Sequence, residues 1–272
     1  MYERHTNRSK YFEEQAITTE KYVIPFIAEI KSINEETSVL EIGCGEGGNL
    51  APFLKARCKR IVGIDMSKGK IENAKKFFES LENSNIIEFI NNDIYNVNPE
   101  DIGRFDIIIM RDVLEHIHGQ EEFMKFVKKF LKPDGKFFLG FPPWYNPFGG
   151  HQQMCKSKFL FRLPYFHILP NFLYKFILKS FGETKAKIEG LLEVKQTAIS
   201  IERFERILKK ENYKKDKRTF YFINPNYVIK FGLKERKAWK LITLIPFFRN
   251  FFITTNYYLI SVNEVLSNNK YN

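Results

Sequence analysis

Val39-Leu40-Glu41-Ile42-Gly43-Cys44-Gly45-Glu46-Gly47-Gly48 runs from an apolar stretch straight into glycines. Ser38–Ile42 reads as a short buried strand, and residues 49–56 as the helix beyond the turn. Glycines at such a turn let the backbone approach a ligand closely. The helix start behind them offers N–H groups and the positive end of a dipole. Two cofactor spacings fit. Gly43, Gly45 and Gly48 satisfy G-x-G-x-x-G, the dinucleotide pattern; Gly43, Gly45 and Gly47 satisfy G-x-G-x-G. The glycines alone leave both open.

Neighbouring carboxylates decide. Glu41 lies two residues before Gly43, where a diphosphate would meet an unwelcome negative charge and a cationic ligand would not. Asp65 ends the next apolar run, 20 residues after Gly45, as expected of a carboxylate that grips ribose hydroxyls. That residue suits both patterns. Asp93 ends a third run and suits an adenine amino group. Each aspartate could instead merely cap the turn that follows it.

Working outward, apolar runs alternate with amphipathic stretches. Strands are expected at residues 60–64, 86–90, 105–110 and 136–141, and helices at 68–81 and 121–130. Near-continuous apolar strands separated by helices imply a parallel α/β sheet covered on both faces. Residues 132–135, Lys-Pro-Asp-Gly, read as a turn. Residues 11–31 carry apolar side chains at helical spacing and read as helices; residues 11–27 are expected to fold over the cofactor as a cap, with Tyr11 and Tyr22 as contacts.

In order and spacing, these segments resemble class I S-adenosylmethionine-dependent methyltransferases. Residues 40–47 resemble their motif I, and Ile64-Asp65-Met66-Ser67 their ribose-binding acidic loop. Residues 105–117 look like their fourth-strand motif, and residues 131–136 like the turn before their fifth strand. The resemblance spans roughly residues 36–143. It implies an S-adenosyl-L-methionine-dependent enzyme with a Rossmann-like sheet of seven strands, one of them antiparallel, and helices on both faces. Residues 217–223 and 257–262 would be the last two strands. By the same resemblance, Glu41 and the loop Gly43, Cys44, Gly45 face the methionine part of the cofactor. Asp65 holds the ribose, Met66 packs on the adenine, and Asp93 and Ile94 frame it. Arg111 passes near the cofactor at the end of the fourth strand.

Methyl transfer is mainly a positioning task, and a hydroxyl acceptor also needs help losing its proton. The loop after the fifth strand reads Phe141-Pro142-Pro143-Trp144-Tyr145-Asn146-Pro147-Phe148-Gly149-Gly150-His151. Its Gly-Gly bend could aim His151 inward as general base. Trp144 and Tyr145, with His151, are the expected substrate contacts. Pro142-Pro143-Trp144 superficially resembles the Asn-Pro-Pro-Tyr motif of amine-methylating enzymes. Phe141 stands where the asparagine would be, and the motif follows the wrong strand, so amino-base methylation is rejected. Asp112, Glu115 and His116 form D-x-x-E-H, which resembles a region of quinone-pathway O-methyltransferases that can hold magnesium. Many metal-free relatives share those letters, so a structural network is expected there and no metal.

The whole is expected to be one domain over 1–272. It comprises a cap (1–35), a cofactor core (36–143) and two substrate-side, aromatic-rich insertions, 144–199 after the fifth strand and 225–253 between the sixth and seventh. The second is expected to be mostly helical over 226–252. The composition is 44% hydrophobic and 16% aromatic, with 28 Phe and a net charge of +11. Such insertions suit a packed helical layer, a substrate lid or a peripheral membrane contact. Residues 1–10 lack the apolar core of a signal peptide. The three cysteines form no C-x-x-C pair, which fits a reducing cytoplasm. The acceptor is expected to be a small molecule, methylated on a hydroxyl oxygen of a glycan, lipid-linked or secondary-metabolite substrate. Alternatives are N- or C-methylation of a small molecule, an RNA or protein methyltransferase suggested by the charge, and a non-catalytic module of the same fold. Nucleic acid is not the expected partner.

Overall fold

The computed structural model describes residues 7–263; the polar stretch 1–6, part of the N-terminal reading, lies outside the described residues. Eight strands form one sheet. They are β1 (Ser38–Ile42), β2 (Arg60–Asp65), β3 (Ile87–Asn91), β4 (Phe105–Arg111), β5 (Leu131–Phe141), β6 (Tyr213–Ile223), β7 (Arg236–Lys237) and β8 (Thr255–Val262). The order is β3-β2-β1-β4-β5-β8-β6-β7. β3 through β5 are parallel, while β8 runs antiparallel to both β5 and β6. The seven longer strands thus form the expected sheet with one reversed member. The eighth, β7, is a two-residue addition at the β6 edge.

Strand order reverses between β1 and β4, which opens a crevice at their carboxyl ends. Both strands are apolar on both faces because both faces are covered. On one side Leu40, Ile108 and Met110 join Phe137, Phe204 and Tyr258. On the other Val39, Ile107 and Ile109 meet Phe26, Phe138 and Tyr257. The expected turn at 132–135 is a bulge inside β5. Leu131 pairs with Phe105 and Lys136 with Ile107, so four residues leave the ladder between them.

The N-terminal segment is helical, Arg8–Thr18 and Ile24–Ala28, with a π turn at Thr19–Val23 between. Pro25 lacks the N–H that an α-helical bond would need, and the wider turn absorbs the gap. The first insertion forms helices Lys158–Arg162, Asn171–Ser180 and Lys185–Gln196. They enclose an apolar cluster of their own around Leu160, Tyr174, Leu178 and Leu191.

The second insertion departs from expectation. It is not mostly helical: Pro225–Phe231 and Lys240–Thr243 are helices, Phe248–Phe251 is a 3₁₀ turn, and β7 lies between. Gly232, at φ +67°, stops the first helix, and Pro246 cannot supply a helical N–H. No helix among the described residues is long and apolar enough to cross a membrane.

Candidate active site

The glycine turn is pinned to β2, because Gly43 and Cys44 both donate their N–H to the carbonyl of Ile64, at 2.8 and 3.0 Å. The glycines differ in purpose. Gly45 has φ +56°, and a Cβ there would meet only Lys70 Cδ at 3.9 Å, so the loop faces open space at that point. Gly48 is needed for a different reason: a Cβ would lie 2.5 Å from the carbonyl oxygen of Phe12. The N-terminal helix packs directly on it. The third glycine of the dinucleotide spacing is therefore explained by the cap.

Asp65 stands at the end of β2. One carboxylate oxygen accepts from Gly45 N at 2.9 Å and the other from Ser67 N at 2.8 Å. Asp93 caps its turn, accepting from Tyr95 N at 3.0 Å, with Ile94 buried beside it. Each oxygen keeps a lone pair beyond these bonds, so capping and ligand binding are compatible. Met66 is 71% exposed at the rim.

Beneath the turn lies a buried polar chain. Glu41 is fully buried; Asn49 Nδ2 donates to its Oε1 at 2.6 Å, and its Oε2 has no partner among the described residues. Burial pushes its carboxyl up to about 8. Arg111, at the end of β4, donates to Asn49 Oδ1 at 2.8 Å, to Thr19 Oγ1 at 3.1 Å and to Asn226 Oδ1. One guanidinium thus ties the cap, the glycine turn and the second insertion together. Asn49, Thr19 and Asn226 were missed by sequence reasoning. Only Asn49, next to Gly48, carried a local signal.

Tyr11 lies on the cap near Arg111, Asp112 and Glu46. Burial pushes its hydroxyl up to about 12. Arg8 also reaches Glu46, which is buried, through a 2.7 Å bond from Nε. Tyr22 turns elsewhere: its hydroxyl donates to Glu235 at 3.4 Å, at the base of the second insertion.

A second cluster lies where the chain leaves β4 and β5. Glu115, His116 and His151 bring donor atoms within 4.8 Å of one another. Asp112 of the D-x-x-E-H pattern is not in that group; its carboxylate sits by Arg111 Nε at 3.9 Å. Glu115 is buried with neither oxygen bonded among the described residues, and burial, then the Asp112 charge, raises its carboxyl well above the usual range. His151 Nε2 is 4.0 Å from Glu115 Oε1, its ring is 4.9 Å from that of His116, and its Nδ1 has no partner among the described residues. Burial, then the neighbouring His116 and His167, pushes His151 down to about 4, so its imidazole is neutral. Thr197 and Gln120 bond the carbonyls of Glu115 and Leu114 and fix this turn.

The other two expected substrate contacts part company. Trp144 is buried edge-on against His167, whose Nε2 is 2.7 Å from the Trp144 carbonyl. Tyr145 is 39% exposed and packs on Phe251. Asn256 and Tyr257, at the start of β8, bury polar atoms that have no partner among the described residues.

Comparison with known proteins agrees with this architecture. Residues 40–139 match the family described as "Methyltransferase domain". The chain is 31% identical over 132 residues to a ubiquinone biosynthesis O-methyltransferase of Coxiella burnetii, covering 48% of each chain. It is 27% identical over 114 residues to the mitochondrial ubiquinone biosynthesis O-methyltransferase of Dictyostelium discoideum, covering 39% of this chain and 35% of that one. The chain therefore spans half or less of the length of these curated relatives. Among solved structures, the magnesium protoporphyrin IX methyltransferase of Synechocystis PCC 6803, with bound SAH, superposes with a TM-score of 0.54 at 14% identity, covering 97% of this chain and 88% of that one. A S-adenosylmethionine-dependent methyltransferase of Clostridium acetobutylicum gives 0.54 at 14%, covering 91% and 92%. Sheet order, glycine turn and sequence matches converge on the same segment: residues 40–139 are similar to a methyltransferase domain, and the chain has the fold of the S-adenosylmethionine-dependent methyltransferases named above.

Proposed function

We propose that the protein transfers the methyl group of S-adenosylmethionine to a hydroxyl oxygen of a small-molecule acceptor, with His151 receiving the hydroxyl proton. The residues present suit that cofactor. The open face of Gly45 leaves room for a ligand against the turn. The unpartnered oxygen of buried Glu41 is a ready acceptor for an ammonium group. When bound, S-adenosylmethionine supplies an electrophilic methyl on a positive sulfur. Gly43, Cys44 and Gly45 would cradle it, with Asp65 on the ribose, Met66, Asp93 and Ile94 around the adenine, and Tyr11 closing from above. Arg111 holds Asn49 in place behind Glu41.

The observation that carries the chemistry is the pairing of His151 with Glu115. His151 offers Nδ1 to the acceptor hydroxyl and turns Nε2 toward Glu115. As the imidazole gains a proton, its charge makes the nearby carboxyl easier to ionise, and the two share one proton. The acceptor oxygen loses hydrogen and gains methyl, and the proton leaves through this pair. The curated relatives named above are O-methyltransferases, which supports oxygen as the atom. Glycan, lipid-linked and secondary-metabolite hydroxyls remain the acceptor classes proposed. The three cysteines are buried and unpaired, which suits the cytoplasm. Incubation of the protein with labelled donor and phenolic or sugar alcohols, followed by mass spectrometry, tests the reading. Methyl on carbon or nitrogen, or donor binding without transfer to any hydroxyl, would refute it.

A further inference from the structure

We propose that the second insertion docks the protein on an anionic lipid surface. Trp239, Leu241, Leu244 and Phe247 are 76%, 78%, 74% and 66% exposed. So many large apolar side chains in nine residues of chain seek a covering. The first insertion encloses an apolar cluster of its own and also leaves Phe159, Phe172 and Phe176 exposed, but these are spread over 18 residues of chain, not gathered within nine.

Charge identifies the occupant. Lys234, Arg236, Lys237 and Lys240 are all exposed within the same segment, and none is in ion-pair contact with an acid among the described residues, although Lys237 lies near enough to Glu29 to help lower its carboxyl. The one acid there, Glu235, is half-buried and accepts from Tyr22. Apolar tips ringed by exposed cations match the boundary between acyl chains and anionic headgroups. A second copy of the chain would set these cations against each other. RNA would satisfy the cations, but Leu241 and Leu244 stack on no base.

The display is held in place. Glu202 accepts from Phe247 N at 2.8 Å and from Arg249 Nε at 2.9 Å, and also binds Asn250. These bonds keep Phe247 at φ +64°, a conformation its side chain disfavours, with the ring outward. At the other end, the helix Pro225–Phe231 carries Asn226, bonded to Arg111. The docking segment is thus continuous with the wall of the active site, although the inference does not depend on what that site methylates.

The test is flotation of the intact protein with vesicles of phosphatidylcholine, alone or mixed with phosphatidylglycerol. Binding to the mixed vesicles, weakened by salt, is expected, with a blue shift in tryptophan fluorescence. The chain has only two tryptophans, and Trp144 is already buried, so the shift reports Trp239. The variant Trp239→Ser/Leu241→Ser should bind at least about tenfold more weakly, and so should Lys237→Glu/Lys240→Glu, with melting temperatures unchanged because all four side chains are exposed. Equal binding of variant and wild type overturns the proposal. So does failure to float with either vesicle, whether the variants instead abolish a concentration-dependent dimer or abolish binding to single-stranded RNA.

Discussion

His151 Nε2 stands 4.0 Å from Glu115 Oε1, and neither oxygen of Glu115 has another partner among the described residues. That separation exceeds a hydrogen bond, so proton sharing needs closure by about 1 Å, as often happens when substrate binds. His151→Ala should lower kcat by about a hundredfold or more while leaving donor affinity, measured by calorimetry, nearly unchanged. Glu115→Gln keeps the shape and removes the proton exchange; a smaller fall in kcat is expected. If the chemistry needs only these groups, chelator treatment leaves the rate unchanged. Loss of activity with EDTA, restored by magnesium, would assign the three donors to a metal instead.

The pH profile follows from the same site. His151 is pushed from 6.5 to about 4. Its imidazole is then a free base down to that pH, and the acid limb of kcat/KM should lie near 4 to 5, not near 6.5. Linkage runs the same way. Between the two values the unfolded chain binds more protons than the folded one, so stability is complete above about 6.5 and falls as pH drops toward 4. Thermal melts of wild type and His151→Ala across that range check this: the acid-side decline should be shallower in the variant.

Glu41 has the opposite linkage. Its carboxyl is raised from 4.5 to about 8, so the folded state holds a proton that the unfolded state gives up. That costs stability progressively as pH rises from about 4.5 to about 8. Glu41→Gln can still accept the Asn49 bond and removes the titration. At neutral pH it should be more stable than wild type by about 2 kcal/mol, with the gap closing at acidic pH. Donor affinity should fall in the same variant, because the acceptor for an ammonium group is gone. Stabilisation without loss of affinity would remove Glu41 from the cofactor site.

Arg111 reaches Asn226 across 115 positions of sequence and Thr19 across 92. Asn226→Ala leaves one guanidinium donor without its buried partner, and about 1–3 kcal/mol of stability should go with it. Arg111→Met removes charge and all three bonds, and should cost more than Asn226→Ala. Denaturant melts decide, and equal effects of the two would mean that the bond to the insertion is the whole contribution of Arg111.

What the sequence made legible is local. β1, β2 and β4 announce themselves as near-continuous apolar runs because both their faces are covered, and Glu41, Asp65 and Asp93 sit at fixed steps from strand ends. The hub at Arg111 was not legible, since its partners come from three distant segments with no shared period. The second insertion misled because its apolar residues keep roughly helical spacing, yet Gly232 and Pro246 cut the helix and leave those side chains in water. Gly48 misled differently. Its spacing imitates a nucleotide motif, while its cause is the carbonyl of Phe12 in the cap.

The Gly149-Gly150 bend before His151 has a steric reason for both glycines. A Cβ at Gly150 would lie 2.1 Å from His167 Cβ, and one at Gly149 would lie 2.1 Å from the Trp144 carbonyl oxygen. Neither neighbour can yield easily. His167 is buried and bonded to the Trp144 carbonyl, and Trp144 N donates to Ile199 O at 2.8 Å. Gly150→Ala must therefore push the loop, which should cost about 1–3 kcal/mol. The next residue is His151, at φ +54°, so the displacement falls on the proposed base. Turnover should drop at temperatures where the variant is still folded, with donor affinity intact, because the atoms that a Cβ at Gly150 would meet belong to His167 and not to the glycine turn. A Gly150→Ala protein that melts lower but turns over at the wild-type rate would show that this loop does not position the base.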